Sequence, residues 1–423
     1  MSTSPASAID GFADSLVRRR DWLVILLVAS VHATSHFFQL VIPSLYVSLG
    51  AAFGLDFAQL GLLVSIFYVT SGIGQACSGF VVDRIGARPV LWFGLSCYIV
   101  AGCAIGLANG YPVLLGAAFI AGVGNSVFHP ADFAIINVRV SQARLGHAFS
   151  MHGLTGSVGW ALAPLLIATL TEFFDWRIAA FGATAVVALA LACTVVWRDL
   201  LVVDGTVRAP AIDSARAGPG AAQAGVGRTL MMLLSRPALW GAFLFFASSS
   251  IAMSAVQNYT IPLMDTLYGL SHVTASTALS GYMLASAFGM FLGGFLVSAT
   301  PRAERTVATA LIAAGAMLVV LALGWIPSWM AAPFVVLAGL CSGVAGPSRD
   351  MLIRSVTPKG TLGSVYGLVY SGMDVGAALG PLCFGLMMDA GMAFGPWLGA
   401  AASFVLAAWL ATLVGRARPA RAA

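Results

Sequence analysis

The chain has 423 residues, of which 59% are hydrophobic and only 9% are charged, and its formal net charge is +5. A soluble domain carries about 25% charged residues, so this composition excludes an ordinary soluble fold. The length allows roughly twelve membrane-crossing helices of about 25 residues each, with short connections between them.

Long apolar runs separated by short polar turns predict twelve transmembrane helices. The run that begins at residue 22 follows Arg18–Arg20 and is too long for the core of a signal peptide, so we interpret it as a permanent first span. The predicted spans are 22–49, 58–82, 89–108, 112–137, 147–171, 177–197, 237–264, 273–299, 304–325, 330–354, 361–388 and 392–414.

One long polar stretch, from residue 198 to 236, separates the sixth predicted span from the seventh. Its centre is rich in Ala, Gly and Pro, which is typical of a flexible linker. The predicted organisation is a tail (1–21), a six-helix bundle (22–197), a linker (198–236), a second six-helix bundle (237–415) and a second tail (416–423).

The arginines in the predicted loops fall almost entirely on one side of the membrane. Arg177 stands alone on the other side, beside Glu172 and Asp175, and Arg349 lies inside a span. Positively charged loops stay in the cytoplasm, so both termini and the linker are predicted to be cytoplasmic. This distribution accounts for the basic charge without a nucleic-acid partner.

Sequence motifs give no indication of an enzyme. All six cysteines lie in apolar runs without ligand spacing, so we predict no disulfide framework and no metal site. The one lysine, Lys359, is not part of a GxxxxGK[ST] loop, and HExxH and GxSxG are absent. We therefore predict no ATP hydrolysis and no cofactor, which leaves an ion or substrate gradient as the energy source.

An internal repeat relates the two halves, because residues 121–164 align without a gap on residues 338–381. The aligned pairs include Gly122 with Gly339, Pro130 with Pro347, Gly159 with Gly376 and Pro164 with Pro381. With an even number of spans per half, the repeat is parallel, and its axis runs along the membrane normal. Such an architecture places the substrate site near the midplane, between the halves.

The loop between the second and third spans resembles a signature of the major facilitator superfamily, G-x-x-x-D-R-x-G-R-[RK]. The matching residues are Gly79, Asp83, Arg84, Gly86 and Arg88, whereas Ala87 departs from the pattern. The resemblance covers nearly the whole chain and implies an all-α membrane protein with twelve transmembrane helices in two pseudo-symmetric six-helix bundles. Locally, we expect a close backbone approach at Gly79, positive φ at Gly86 and a helix start at Pro89.

Residues 127–130 and 146–164 resemble the fosmidomycin-resistance branch of drug exporters. Two departures from the exporter pattern stand out. Ala118 occupies a position where exporters carry arginine, and Ala163 replaces the second glycine of Gly-x-x-x-Gly-Pro. That motif is intact in the eleventh span, at 376–381.

Polar residues form stripes on two of the predicted spans. One stripe on the first span contains His32, His36, Gln39, Pro43 and Tyr46, and another on the fourth contains Asn125, His129 and Asp132. Polar groups in hydrocarbon need partners or a wet cavity, so the stripes are candidates for lining a substrate site. The alternative is that neutral imidazoles bond to carbonyls of neighbouring helices.

The repeat places Asp132 opposite Arg349 of the tenth span. We hypothesise that the two form a gate on the cytoplasmic side, the alternative being a pair between Arg349 and Asp350.

Asp374 in the eleventh span could carry a coupling proton, or it could be a neutral acid bonded to Tyr68, Ser71 or Gln75.

Polar residues on the seventh span and the acid of the signature loop are further candidates for function. Gln257 and Asn258 on the seventh span could orient a substrate or serve as interhelical hydrogen bonds. In the family that the loop resembles, the acid at Asp83 sits close to the start of the eleventh span. This implies that Asp83 favours the state closed to the cytoplasm.

We assign each candidate a role. The substrate-binding candidates are His32, His36, Gln39, Asn125, His129, Gln257, Asn258 and Arg349; the proton-coupling candidates are Asp132 and Asp374; the gating candidates are Gly79, Asp83, Arg84, Gly86 and Arg88.

The first functional hypothesis is a monomeric, proton-coupled exporter of small organic compounds in a bacterial inner membrane. Its partners would be the substrate, protons and membrane lipid. The second hypothesis is a proton symporter that imports an organic anion held by Arg349 and His129. A third hypothesis is a membrane receptor that does not transport. The loop between the second and third spans argues against it, because that loop resembles the signature of transporters that work by alternating access.

Overall fold

The structure is a computed structural model that describes residues 5–203, 235, 237–299, 302–356 and 362–416. These ranges are helical without strands, and twelve of their helices are long and apolar enough to cross a membrane. The centre of the predicted linker, residues 209–227, lies outside the described residues.

Spans 1 to 6 belong to the first half of the chain. Their helices are Pro5–Gln39, Phe57–Ile85, Ala87–Gly106, Tyr111–Asn125 with Phe128–Arg139, Leu145–Phe173 and Trp176–Val196. Two short helices, Val41–Ser44 and Tyr46–Phe53, follow span 1. Single 3-10 turns at Gln142–Arg144 and Arg198–Leu201 precede span 5 and follow span 6.

Spans 7 to 12 follow the predicted linker. Their helices are Pro237–Tyr268, His272–Ala299, Ala303–Ala322, Ser328–Val356, Leu362–Asp389 and Gly395–Arg416. Most ends lie within a few residues of the prediction. Span 1 is the exception, because its helix begins at Pro5, inside the predicted tail.

Two spans that we predicted as continuous are broken near a proline. The helix of span 1 ends at Gln39, four residues before Pro43, and span 4 breaks after Asn125, close to Pro130. Proline lacks the amide hydrogen and its ring crowds the carbonyl four residues back, so the regular ladder fails there. In span 4 the freed carbonyl of Ser126 accepts a hydrogen bond from Ser78 Oγ of span 2, at 2.9 Å.

Equivalent close approaches occur in the two halves, as the repeat predicts. A Cβ atom at Gly159 of span 5 would clash with the carbonyl of Ala33 in span 1. A Cβ atom at the aligned Gly376 of span 11 would clash with the carbonyl of Ala247 in span 7. Spans 1 and 5 therefore pack as spans 7 and 11 do.

The second aligned glycine pair behaves in the same way. Gly122 of span 4 lies against the carbonyl of Phe67 in span 2, and Gly339 of span 10 lies against the carbonyl of Tyr282 in span 8. The pseudo-symmetry thus extends to individual backbone contacts.

The halves meet along spans 2 and 11 and along spans 5 and 8, and the first of these contacts includes hydrogen bonds at the end of the molecule opposite the chain termini. The backbone amides of Phe57 and Ala58 donate to the carboxylate of Asp389, at 2.9 and 2.7 Å. Gly61 of span 2 packs directly on the carbonyl of Pro381. We call this contact region, residues 57–61 with 381–389, the outer seam.

The signature loop is shorter than predicted. Span 2 continues to Ile85, Gly86 alone turns the chain with a φ of +86°, and span 3 begins at Ala87. The positive φ at Gly86 is confirmed, but Pro89 is not the first helical residue. The close approach expected at Gly79 is absent from this conformation, because a Cβ atom there would meet no described atom within 4 Å.

Candidate functional site

The histidines of the two predicted stripes converge on one buried carboxylate in the first half. Asp132 Oδ2 lies 3.3 Å from His32 Nδ1 and 3.2 Å from His152 Nε2. The rings of His32 and His152 stack with their centroids 3.4 Å apart. All three side chains are buried, and that of Asp132 is 0% exposed.

Two further imidazoles complete this group. His36 lies edge-on to His32 at 4.4 Å between ring centroids, and His129 does so at 5.3 Å. We call His32, His36, His129, His152 and Asp132 the histidine cluster. It joins spans 1, 4 and 5, which all belong to the first half.

His152 was missed by the sequence analysis. An ionisable residue inside a predicted span is itself a signal, and His152 lies within the predicted fifth span. It belongs to no stripe on its own helix, so only the packing of span 5 against spans 1 and 4 reveals its partners.

The predicted absence of a metal site overlooks this cluster. His32, His36 and His129 bring ligand atoms within 4.8 Å of one another, and so do His32, Asp132 and His152. The prediction relied on cysteine spacing, whereas these ligands come from three separate helices.

A network of neutral side chains surrounds Asn125, next to the histidine cluster. Asn125 Oδ1 accepts from Gln39 Nε2 at 3.0 Å and from the Tyr98 hydroxyl at 2.7 Å. Its Nδ2 donates to Ser71 Oγ at 2.7 Å, and Trp160 Nε1 donates to Gln39 Oε1 at 2.9 Å. The network ties spans 1, 2, 3, 4 and 5 together.

Trp160 links the neutral network to the histidine cluster, since its ring lies edge-on to that of His36 at 4.3 Å. The candidates on spans 1 and 4 therefore divide into two adjoining groups, one ionisable and one neutral.

The predicted pair between Asp132 and Arg349 is not formed in this conformation, and the alternative pair of Arg349 with Asp350 is. Asp132 pairs with histidines of its own half, and Arg349 Nε lies 2.9 Å from Asp350 Oδ1. The guanidinium of Arg349 also lies over the Phe246 ring, at 5.1 Å. The neighbour on the same helix satisfies the arginine at a smaller entropic cost than a residue in the other half.

Asp374 lies at the contact between the halves. Its Cβ is 3.5 Å from the position that a Cβ at Gly72 of span 2 would occupy, and its side chain is half-buried. The missing side chain at Gly72 makes room for the acid, between the outer seam and the signature loop.

The candidates on span 7 lie close to the outer seam. The Tyr46 hydroxyl donates to Asn258 Oδ1 across the halves at 3.4 Å, and Asn258 Nδ2 donates to the Ser254 carbonyl at 2.7 Å. Gln257 is buried, and its Nε2 has no hydrogen-bond partner among the described residues. A buried amide without an acceptor is costly, so Gln257 is suited to a polar ligand atom.

Two of the five gating candidates are exposed in this conformation, Gly79 and Arg88 are half-buried and Gly86 is buried. Asp83 and Arg84 are exposed at the end of span 2, and the guanidinium of Arg88 lies 5.3 Å from the centre of the Trp92 ring. The outer seam is closed while Asp83 stays exposed.

Comparison with known proteins agrees with this architecture. The profile of the Major Facilitator Superfamily matches residues 25–381 and 249–423. The chain is 27% identical over 340 residues to the "Probable nitrate/nitrite transporter NarK2" of Mycobacterium tuberculosis, which covers 79% of this chain and 81% of that protein. It is 28% identical over 171 residues to the "Fosmidomycin resistance protein" of Escherichia coli, covering 40% and 42% of the two chains.

A solved structure shows the same fold at low sequence identity. The bacterial homologue of the human lysosomal transporter Spinster, described as inward-facing and unoccupied, superposes with a TM-score of 0.72 at 18% identity. The match covers 95% of this chain and 99% of that one.

Twelve apolar spans in two pseudo-symmetric bundles, with the halves meeting at a seam, define a multi-pass membrane transporter rather than an enzyme. The chain belongs to the Major Facilitator Superfamily.

Proposed function

We propose that this transporter exports small organic compounds in exchange for protons, across a bacterial inner membrane with both termini in the cytoplasm. The single observation that supports coupling to protons is the position of Asp374. It is an acid in a membrane span, half-buried against Gly72 of the other half. When the halves move apart, the solvent exposure of an acid at their contact changes. A proton-coupling group needs such a change, because it must hold its proton in one state and release it in the other.

Asp132, the other candidate for coupling, is placed differently. Its partners His32 and His152 both lie in the first half, so they stay with Asp132 when each half moves as a unit. We therefore assign the coupling proton to Asp374.

The substrate would lie between the halves, near the neutral network and span 7. The free amide of Gln257 can donate to an acceptor on the substrate, and the carboxamides of Gln39 and Asn258 lie on facing halves. Similarity to the fosmidomycin resistance protein supports export, although it covers only 40% of this chain.

The test is a flux measurement on the full chain in proteoliposomes of sealed, known orientation. A pH-sensitive dye inside reports proton movement when a compound from a panel of toxic organic molecules, fosmidomycin included, is added outside. Wild-type protein should move protons only with a transported compound. Asp374→Asn should abolish this movement while compound binding persists.

Asp265→Asn is the matched control, because Asp265 is an exposed carboxylate at the end of span 7 and should leave coupling unchanged. If Asp374→Asn coupled protons as well as the wild type, the proposal for Asp374 would be wrong.

A second candidate is import of a small anion with protons, which the longer similarity to the nitrate/nitrite transporter favours. Arg349 is the cation inside a span that we predicted to hold the anion, but its charge is matched by Asp350 in this conformation. Nitrate in the same assay separates the candidates, since import would acidify the lumen only when nitrate is present outside.

A further inference from the structure

The histidine cluster contains more buried coordinating atoms than its hydrogen bonds satisfy. Asp132 Oδ1 and both ring nitrogens of His36 are buried and have no hydrogen-bond partner among the described residues. His32 Nδ1 is 3.3 Å from Asp132 Oδ2 but does not form a hydrogen bond with it. An unsatisfied buried acceptor costs roughly 1–3 kcal/mol, so a cluster with several of them suits a bound cation.

Two of the three separations between the ligand atoms match a tetrahedral metal site, and the third is within 4.8 Å. The rings of His32 and His152 stack in this structure, so they would turn to direct both lone pairs at one ion. Ligands at about 2.0–2.1 Å from a tetrahedral zinc ion are separated by roughly 3.3 Å from one another. Asp132 Oδ2 is 3.3 Å from His32 Nδ1 and 3.2 Å from His152 Nε2. The absence of a side chain at Gly156 allows span 5 to pack closely against the rings, because a Cβ atom there would come within 3.1 Å of His32 Nε2.

The donor set selects the kind of ion. Imidazole nitrogens with one carboxylate suit zinc and its neighbours, whereas Ca²⁺ takes six or more oxygen ligands. A divalent ion would also compensate the charge of the Asp132 carboxylate, which is 0% exposed and forms no ion pair with an arginine or lysine among the described residues.

We propose that Asp132, His32 and His152 bind one divalent transition-metal ion of the zinc class, with His36 and His129 as the adjoining imidazoles. Such an ion fastens span 1 to spans 4 and 5 within the first half. It stays bound while the halves move, because every ligand belongs to one half. This inference does not rest on the proposed substrate or direction of transport.

The experiment measures metal binding to the purified full chain, isolated in detergent with a tag that contains no histidine and stripped with a chelator. Zn²⁺ is titrated in competition with a chelating dye, and Co²⁺ is added separately to detect the visible absorption of tetrahedral cobalt. We expect one ion per chain, a raised thermal unfolding temperature with Zn²⁺ and a tetrahedral cobalt spectrum.

Asp132→Asn and His152→Gln should each weaken Zn²⁺ binding by at least about tenfold, since even outer-shell partners of a metal contribute 10–100-fold. His147→Gln is the matched control on the same helix, because His147 is exposed and lies outside the cluster. It should leave the affinity and the cobalt spectrum unchanged.

Failure of the stripped wild type to bind Zn²⁺, or equal affinity in the cluster variants, would overturn the proposal. If a cluster variant does not fold, X-ray absorption of zinc-loaded wild-type protein decides the matter. Scattering from two imidazoles would support the site, and a shell without imidazole would refute it. A transport defect with normal metal binding would instead concern the proposed function alone.

Discussion

The carboxylate of Asp389 caps the start of span 2 by accepting the backbone amide of Phe57 at 2.9 Å. The next amide, of Ala58, donates to the other carboxylate oxygen at 2.7 Å. These amides lie at the positive end of the helix dipole, which favours a carboxylate. The last residue of span 11 thus bonds to the first turn of span 2, across the two halves.

Asp389→Asn should weaken this closure. Hydrogen bonds to a charged group contribute about 1.5–3 kcal/mol, so the closed population should fall by about tenfold or more relative to the open one. Spin labels at F174C and W325C report the separation of the halves at this end, because both side chains are exposed, at 68% and 72%. The labels require a background in which the six native cysteines are replaced.

Asp265→Asn in the same labelled background is the control and should leave the distance distribution unchanged. An Asp389→Asn distribution identical to that of the wild type would show that the seam does not depend on this carboxylate.

Asp83→Asn should act in the opposite direction. Asp83 is exposed in this conformation, so its removal costs nothing here, whereas the family resemblance implies a contact with span 11 in the other state. The same pair of labels should then show a larger closed population, and transport should slow while binding persists. A shift toward the open distance would contradict this role for Asp83.

Gly61→Ala should also loosen the outer seam. A Cβ atom at Gly61 would clash with the Pro381 carbonyl and come within 2.9 Å of the Tyr259 hydroxyl. Overpacking of this kind costs about 1–3 kcal/mol, which the halves can relieve by separating. The expected result is a lower closed population in the spin-label distances.

Gly116→Ala is the control for that substitution, because Gly116 is exposed within span 4 and an added Cβ atom would meet nothing within 4 Å. Equal effects of the two substitutions would indicate a general response to alanine in a helix.

Asn125→Ala should lower the stability of the first half. It removes the partner of Gln39, Tyr98 and Ser71 at once, and hydrogen bonds between membrane helices contribute about 0.6 kcal/mol each on average. We expect a loss of about 2 kcal/mol in the free energy of unfolding in detergent. Tyr98→Phe removes one of these bonds and a longer one, of 3.4 Å, to the Ser35 carbonyl, so it should cost between about one third and two thirds as much. A larger loss for Tyr98→Phe than for Asn125→Ala would refute the central position of Asn125.

Local sequence patterns sufficed for the helices and for their pairing. The length of the apolar runs predicts the twelve spans, and the aligned glycines Gly159 and Gly376 predict equivalent contacts because each allows one backbone to touch another. The helical spacing of His32 and His36 also places them on one face, as the structure shows.

Partners between helices were not predictable in the same way. Pseudo-symmetry suggested Arg349 for Asp132, but a symmetric position is not a contact, and His152 lies closer. Arg349 bonds to the adjacent Asp350, which is the alternative that the sequence had suggested. The helices of spans 1 and 4 break near Pro43 and Pro130, so the segments on either side of each break point in different directions. Residues that would share one face of an unbroken helix therefore lie in two different environments.

The amides that hold the outer seam belong to the main chain of residues 57 and 58, whereas the acceptor is a side chain. Substitutions at Phe57 or Ala58 other than proline therefore retain the donors, and only a change at position 389 removes the acceptor. The side-chain contribution to these two hydrogen bonds therefore depends on one codon in the second half. Revertants selected against a defect at that codon should consequently arise at other sites that loosen or tighten the contact, rather than at its direct partners.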